Sequence, residues 1–224
     1  MIKTITEENL KEICRKLSKK DTDLAFIFET YGTPPIWSRE ANFATLIHII
    51  LEQQVSLASA LSAFNRLQEK LGEITPENVL RLSDEQLKAC YFSRQKTIYA
   101  RELAKAVLDK SLNLENLKKL SDADAKHELK KIKGIGDWTS DIYLLMALLR
   151  VDVMPKGDLA LHVAYKNLKK LERAPSSDEF QINAEKWKPF RAVAARLLWH
   201  FYLEVKEQGM RDKGRETRNT KIAK

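Results

Sequence analysis

The stretch Lys131-Ile132-Lys133-Gly134-Ile135-Gly136-Asp137-Trp138-Thr139-Ser140-Asp141-Ile142 places two glycines one residue apart between segments whose apolar residues recur at helical spacing. Glycine lets the backbone bend tightly and come close to a neighbouring group, and the helix opening after Gly136 presents N–H groups with no partner inside the helix. A helix start of that kind attracts phosphate through its amides and its dipole. Gly-x-Gly alone also suits an ordinary corner between two helices. Here the flanking Ile132 and Ile135, the Trp138-Thr139-Ser140 continuation and a basic chain favour a hairpin that grips phosphate.

Outward from the hairpin, apolar residues return every three or four positions almost everywhere, the period of amphipathic helices rather than strands, while glycine (7) and proline (6) are scarce. The expected fold is all-α. Helices are expected near 6–18, 21–30, 40–50, 55–71, 76–80, 84–90, 94–110, 114–119, 122–131, 137–149, 159–170, 178–184 and 187–207. Thr4-x-x-Glu7 and Ser83-x-x-Gln86 have capping-box spacing, and Thr75-Pro76-Glu77 sets proline at a first helical position. Tyr31-Gly32-Thr33-Pro34-Pro35, Leu71-Gly72 and Met154-Pro155-Lys156-Gly157 are stops. Leu82-Ser83-Asp84 returns as Leu120-Ser121-Asp122, a weak sign of two similar helical pairs, because serine and aspartate are common caps. From Gly209 the chain mixes charged and polar residues with hardly an apolar anchor, so 208–224 is expected to be a basic flexible tail.

A chain of 224 residues with 44% apolar content can bury a core as one unit or as two small lobes. Its 39 Lys and Arg against 31 Asp and Glu leave a net charge of +8, which suits a polyanionic partner and also a merely solvated lysine-rich face. Cys14 and Cys90 are too few and too far apart for a disulfide framework or a four-thiolate cluster. His48, His127, His162 and His200 show no ligand pairing. The start lacks an apolar leader segment and no run nears the roughly 20 residues that span a bilayer. The expectation is a cytoplasmic protein, nucleoid-associated in a prokaryote, without membrane contact and without a cofactor.

Downstream of the hairpin, Pro155-Lys156-Gly157-Asp158-Leu159 puts a carboxylate between glycine and an apolar-periodic helix. That is where a helix cap belongs. Capping does not exclude catalysis, since it fixes a carboxylate at a helix end.

The chain resembles the helix-hairpin-helix DNA glycosylases, and within them the 3-methyladenine DNA glycosylase II branch. The resemblance rests on Ile50-Leu51-Glu52-Gln53-Gln54-Val55-Ser56, Gly134-Ile135-Gly136-Asp137-Trp138-Thr139, Pro155-Lys156-Gly157-Asp158-Leu159, and a closing segment from Trp187-Lys188-Pro189-Phe190-Arg191 to Ala194-Ala195-Arg196-Leu197-Leu198-Trp199, in order over roughly 40–205. It implies two helical lobes flanking a cleft: one from approximately 1–40 plus 150–207, the other from approximately 41–149. It implies that Asp158 is the essential acid, that Gly134, Ile135 and Gly136 hold backbone phosphate together with Thr139, and that Gln54 fills the space of an everted nucleotide. The hairpin of the family can hold a monovalent cation on main-chain carbonyls, here those of Lys130, Ile132 and Gly134; no essential metal is implied. Trp199 matches a wall of the base pocket, Trp138 also falls there, and Trp37 is a further candidate; core packing is the other reading of Trp199 and Trp37. Arg94, Lys96 and Lys133 are candidate phosphate contacts.

Several relatives carry lysine where Trp138 stands, and its amine forms a Schiff base with the sugar; tryptophan cannot. The resemblance therefore implies a monofunctional, monomeric enzyme that removes alkylated purines, of the 3-methyladenine and 7-methylguanine type, from double-stranded DNA. Asp137 would set a carboxylate near phosphate, and Ile142 replaces an aromatic pocket residue. A glycosylase for another lesion and a noncatalytic helix-hairpin-helix DNA-binding protein remain as alternatives.

Overall fold

In the computed structural model, backbone is described for residues 4–222 and side chains for 4–208. Thirteen α-helices account for nearly all regular structure among the described residues, and there is no strand of any length. The chain divides into two compact units, one built from the chain up to Ile36 and from Lys156 onward, the other from Trp37–Pro155. No described helix is long and apolar enough to cross a membrane.

The first unit contains α1 (Glu7–Ser18), α2 (Thr22–Tyr31), α11 (Leu159–Lys169), α12 (Ser177–Ala184), a 3₁₀ turn at Glu185–Trp187 and α13 (Arg191–Ile222). α1 buries Leu10, Ile13, Cys14 and Leu17, one helical face at three- and four-residue spacing. α13 is different. Ala192, Val193, Ala194, Ala195, Leu197 and Leu198 have no exposure at all, so α13 is buried on every side there and α1, α2 and α11 pack around it. α13 continues as helix through the stretch expected as a tail; its side chains from Gly209 lie outside the described residues.

One charge sits inside that apolar helix. Arg196 is fully buried, donates from Nε to the Ile36 carbonyl at 2.9 Å and from one terminal nitrogen to the Ala192 carbonyl at 3.2 Å, and burial lowers its pKa to about 10. The long side chain ties the end of the 32–36 segment to α13. Arg196→Met fills similar volume but leaves the Ile36 carbonyl without its donor, so a loss of about 1–3 kcal/mol is expected in denaturant unfolding. An unchanged midpoint would contradict the tether.

The second unit contains α3 (Phe43–Glu52), α4 (Leu57–Leu71), α5 (Pro76–Arg81), α6 (Asp84–Ala89), α7 (Arg94–Leu108), α8 (Leu114–Leu117), α9 (Asp122–Lys130) and α10 (Asp137–Met146). Its central helix is α3, where Phe43, Thr45, Leu46, Ile47, Ile49, Ile50, Leu51 and Glu52 are buried and α4, α7 and α10 pack around. Glu52 is buried because Arg39 neutralises it through two hydrogen bonds, at 2.6 and 3.0 Å.

Most signals read from the sequence act as expected. Ser83 and Gln86 form a capping box, Pro76 opens α5, and Gly32 and Gly72 close α2 and α4 at positive φ. Two readings are corrected. The box at the start of α1 is Thr6 with Asn9, not Thr4 with Glu7. The closing helix begins at Arg191 rather than 187, because the Glu185–Trp187 turn and Pro189 precede it.

Candidate active site

Asp158 is the N-cap of α11. Its Oδ1 accepts the Leu161 N–H at 3.0 Å and the Trp199 indole N–H at 3.1 Å, and the residue is 8% exposed. The cap expected from the sequence is therefore present, and Trp199 on α13 positions the same oxygen. Asp21, the N-cap of α2, offers an internal comparison. It also accepts two backbone N–H groups and an indole N–H, that of Trp187 at 2.8 Å, and in addition Lys186 lies 2.7 Å from Oδ2. Burial pushes the Asp21 carboxyl up, but the Lys186 and Trp187 bonds outweigh it and hold it below the usual carboxylate range. Capping plus an indole bond is thus a structural device of this unit and does not by itself mark catalysis.

One turn beyond Asp158, His162 is buried against the Phe180 ring, at 5.0 Å between centroids, with Nε2 buried and without a hydrogen-bond partner. Burial lowers its pKa, opposed by the Asp158 charge.

The hairpin lies in the second unit. Gly134 has φ +94°, in the region that side chains disfavour, and a Cβ there would meet the Tyr99 ring at 2.1 Å. Gly136 is the N-cap of α10 and has no capping side chain, so the first amides of α10 lack that partner. Nothing lies within 4 Å of where its Cβ would stand, which leaves the helix start open to close approach. Ile135, by contrast, is buried and anchors the bend. Asp137 does not stand as an isolated negative charge. Lys130 at 2.6 Å and Lys126 at 3.3 Å flank it, and the Lys130 bond holds its carboxyl below the usual range despite some burial.

Gln53, which sequence reasoning passed over, ties this hairpin to the loop after α3. Its side-chain amide donates to the Gly134 carbonyl at 2.9 Å and to the Thr139 hydroxyl at 2.8 Å. The next residue, Gln54, is exposed and left-handed at φ +57°, so the pair divides its work: one glutamine is tied inward and the other projects. The only hint in the sequence is two adjacent amides directly after an apolar helix, which does not say which of them is held. The Gln53 amide occupies Gly134, and the Ile135 N–H donates to the Ile132 carbonyl at 3.0 Å.

Lys96 donates to the Leu51 carbonyl at 2.7 Å and is half-buried, which lowers its pKa. It braces the end of α3 as well as carrying charge. Arg94 and Lys133 are exposed, on the first turn of α7 and on the hairpin. Gln53, Gln54, Val55, Ser93, Gln95, Lys96, Tyr99 and Gly134–Gly136 line one cavity of ≈ 530 Å³. Trp138 is half-buried on the first turn of α10 and Trp37 half-buried at φ +46° where the second unit begins. The structure thus gathers Gln54, Lys96 and the hairpin glycines around one cavity of the second unit, whereas Asp158 and Trp199 pair in the first.

A family model described as the HhH-GPD superfamily of base excision DNA repair proteins matches residues 47–190, more than half of the chain. This chain belongs to the HhH-GPD superfamily. That match contains the Gln53-Gln54 loop, the hairpin, Asp158 and Trp187. Among relatives of this superfamily member, the DNA-3-methyladenine glycosylase 1 of Schizosaccharomyces pombe is 29% identical over 210 residues, covering 88% of this chain and 92% of the relative. A putative DNA-3-methyladenine glycosylase of Bacillus subtilis is 27% identical over 201 residues, covering 86% and 69%. Of solved structures, the Schizosaccharomyces pombe 3-methyladenine DNA glycosylase in complex with abasic DNA superposes with a TM-score of 0.80 at 30% identity, over 84% of this chain and 95% of that one.

Proposed function

We propose that this chain is a monofunctional DNA glycosylase that everts alkylated purines from duplex DNA and hydrolyses their N-glycosidic bond, leaving an abasic site in base excision repair. The observation that carries this reading is similarity along 88% of the chain to a protein named for release of 3-methyladenine. A base inside a duplex is unreachable, so the nucleotide leaves the stack at a cost of a few kcal/mol, least where pairing is already damaged. An N3- or N7-alkylated purine is cationic, which weakens its bond to the sugar and favours aromatic surroundings. Each such contact is worth about 0.5–2 kcal/mol, and Trp138, Trp199 and Trp37 are the candidates.

The C1′–N bond breaks with its electron pair leaving on the base, and positive charge grows on the sugar. Asp158, a carboxylate already fixed by two N–H donors, stabilises that charge and orients the water whose oxygen bonds to C1′, while the water's proton passes to the carboxylate or solvent. No electron transfer and no cofactor is needed. The open amides of α10 grip phosphate, and Trp138 supplies no amine for a Schiff base, so the strand stays whole. The enzyme acts as a monomer.

Duplexes each carrying one lesion test this reading. Free 3-methyladenine and 7-methylguanine are expected in solution, with strand breaks only after alkali. Tight binding with no base released from any duplex would make the chain a noncatalytic binder. Release confined to uracil or an oxidised purine would change the lesion class, and breaks without alkali would contradict the monofunctional assignment.

A further inference from the structure

The two legs of the hairpin are laced together by their own charges. Lys126 and Lys130 stand four residues apart on α9, and Asp137 and Asp141 four apart on α10, so each pair shares one helix face. Lys130 lies 2.6 Å from the Asp137 carboxylate, and Lys126 bridges Asp137 at 3.3 Å and Asp141 at 2.9 Å. Lys131 is held by Glu128 at 2.6 Å. Of the four lysines from 126 to 133, three are therefore committed to acids of the same two helices, and Lys133 on the turn forms none of these pairs.

The two aspartates differ in what keeps them there. Asp141 is buried and fixes Lys126, because a buried carboxylate deprived of its cation is strongly unfavourable. The side chains of Lys130 and Asp137 are 42% and 39% exposed, and an exposed pair of that kind adds little to stability. Asp137 is also the first residue of the helix whose uncapped amides are the proposed phosphate contact. Beside those amides its carboxylate falls within the Debye length of about 8 Å, repels a phosphate bound there and withholds Lys130 from it. An acid in the first turn also suits the helix dipole, so a purely stabilising role is the competing explanation. The two roles differ in sign on DNA: a stabilising Asp137 helps binding or leaves it alone, whereas a repelling one weakens it.

We propose that Asp137 is an affinity-limiting residue: it keeps Lys130 off the DNA and repels the phosphate at the start of α10, so that the hairpin holds a duplex chiefly through amide dipoles and lets the abasic product go. The proposal rests on the DNA-binding part of the glycosylase reading and assigns a role that reading leaves open.

The test uses the full chain and two measurements: affinity for an undamaged duplex over a salt series, and dissociation from a duplex with a stable abasic-site analogue. Asp137→Asn is expected to bind the undamaged duplex about tenfold more tightly at low salt and to leave the abasic duplex about tenfold more slowly. Its salt slope is expected to steepen by about 0.9, the value of one further neutralised phosphate on B-DNA. Asp137→Glu keeps the charge and is expected to behave as wild type. Adding Lys130→Met to Asp137→Asn removes the released cation and is expected to return the slope to that of wild type. Glu115→Gln breaks the exposed Glu115–Lys118 pair of α8, changes net charge by the same amount, and is expected to shift duplex affinity by less than about twofold. Unchanged or weaker duplex binding by Asp137→Asn would overturn the proposal, and so would an equal gain in Glu115→Gln, which would trace the effect to net charge. None of these measurements needs base release. The expected pattern in a chain that releases no base would remove the glycosylase reading alone, and base release with no gain in Asp137→Asn would remove the proposal alone.

Discussion

Gly134→Ala is expected to destabilise the protein by about 3 kcal/mol or more and to abolish tight DNA binding. Two costs add. A non-glycine residue in the left-handed region costs roughly 1–2 kcal/mol, and at φ +94° the backbone is outside even the favoured part of it. The new methyl group would also stand 2.1–2.4 Å from three atoms of the Tyr99 ring, so ring or hairpin must move, and overpacking of this kind costs about 1–3 kcal/mol. Moving the hairpin also disturbs the Gly134 carbonyl that Gln53 holds. Gly136→Ala separates folding from binding. Its φ of −97° is ordinary and its Cβ would meet nothing, so stability is expected to change by less than about 1 kcal/mol. The methyl group would nevertheless occupy the open side of the helix start, where the proposed phosphate contact lies, and duplex affinity is expected to fall. Denaturant unfolding and duplex binding on both variants check this; a stable, tightly binding Gly134→Ala would contradict the account of the hairpin.

The helices were legible because their signals are local. Serine, threonine and asparagine caps, glycine stops and apolar spacing act within a turn or two, and each expected helix has a counterpart among the thirteen. Errors fell where two local solutions compete. Thr4 and Thr6 are both able to cap α1, and Asn9 closes the box at Thr6 in place of the usual glutamate or glutamine. At the last helix, apolar periodicity runs through Trp187, but that indole is bound to Asp21 in a 3₁₀ turn and Pro189 interrupts the chain before Arg191.

The candidate site was legible as a set of residue types and much less as a set of bonds. Asp158 and the hairpin glycines stand out by their neighbours in the chain. The bond from Gln53 to Gly134 spans 81 residues and that from Trp199 to Asp158 spans 41, and no spacing rule reports either. Lys96 illustrates the same limit: read by its position at a helix start it is a phosphate ligand, whereas the fold also spends one of its protons on the Leu51 carbonyl. The Asp21 arrangement shows why chemistry cannot be read from a cap alone.

The central claim is that the Asp158 carboxylate acts through its charge, and Asp158→Asn isolates that charge. Asparagine caps a helix as well as aspartate and keeps an oxygen for Leu161 and Trp199, so stability is expected to stay within about 1 kcal/mol. Removing a preorganised charge from beside the developing cation is expected to slow the chemical step by about 10³-fold or more. Asp21→Asn, which alters the matching cap on α2, is expected to cost stability and leave the rate alone. The decisive measurement is single-turnover release of 3-methyladenine by wild type and Asp158→Asn, alongside the affinity of each for a duplex with an abasic-site analogue. Lost release with affinity retained within about threefold is the predicted result, equivalent to less than about 0.7 kcal/mol of binding. Release at the wild-type rate by Asp158→Asn would contradict the assignment.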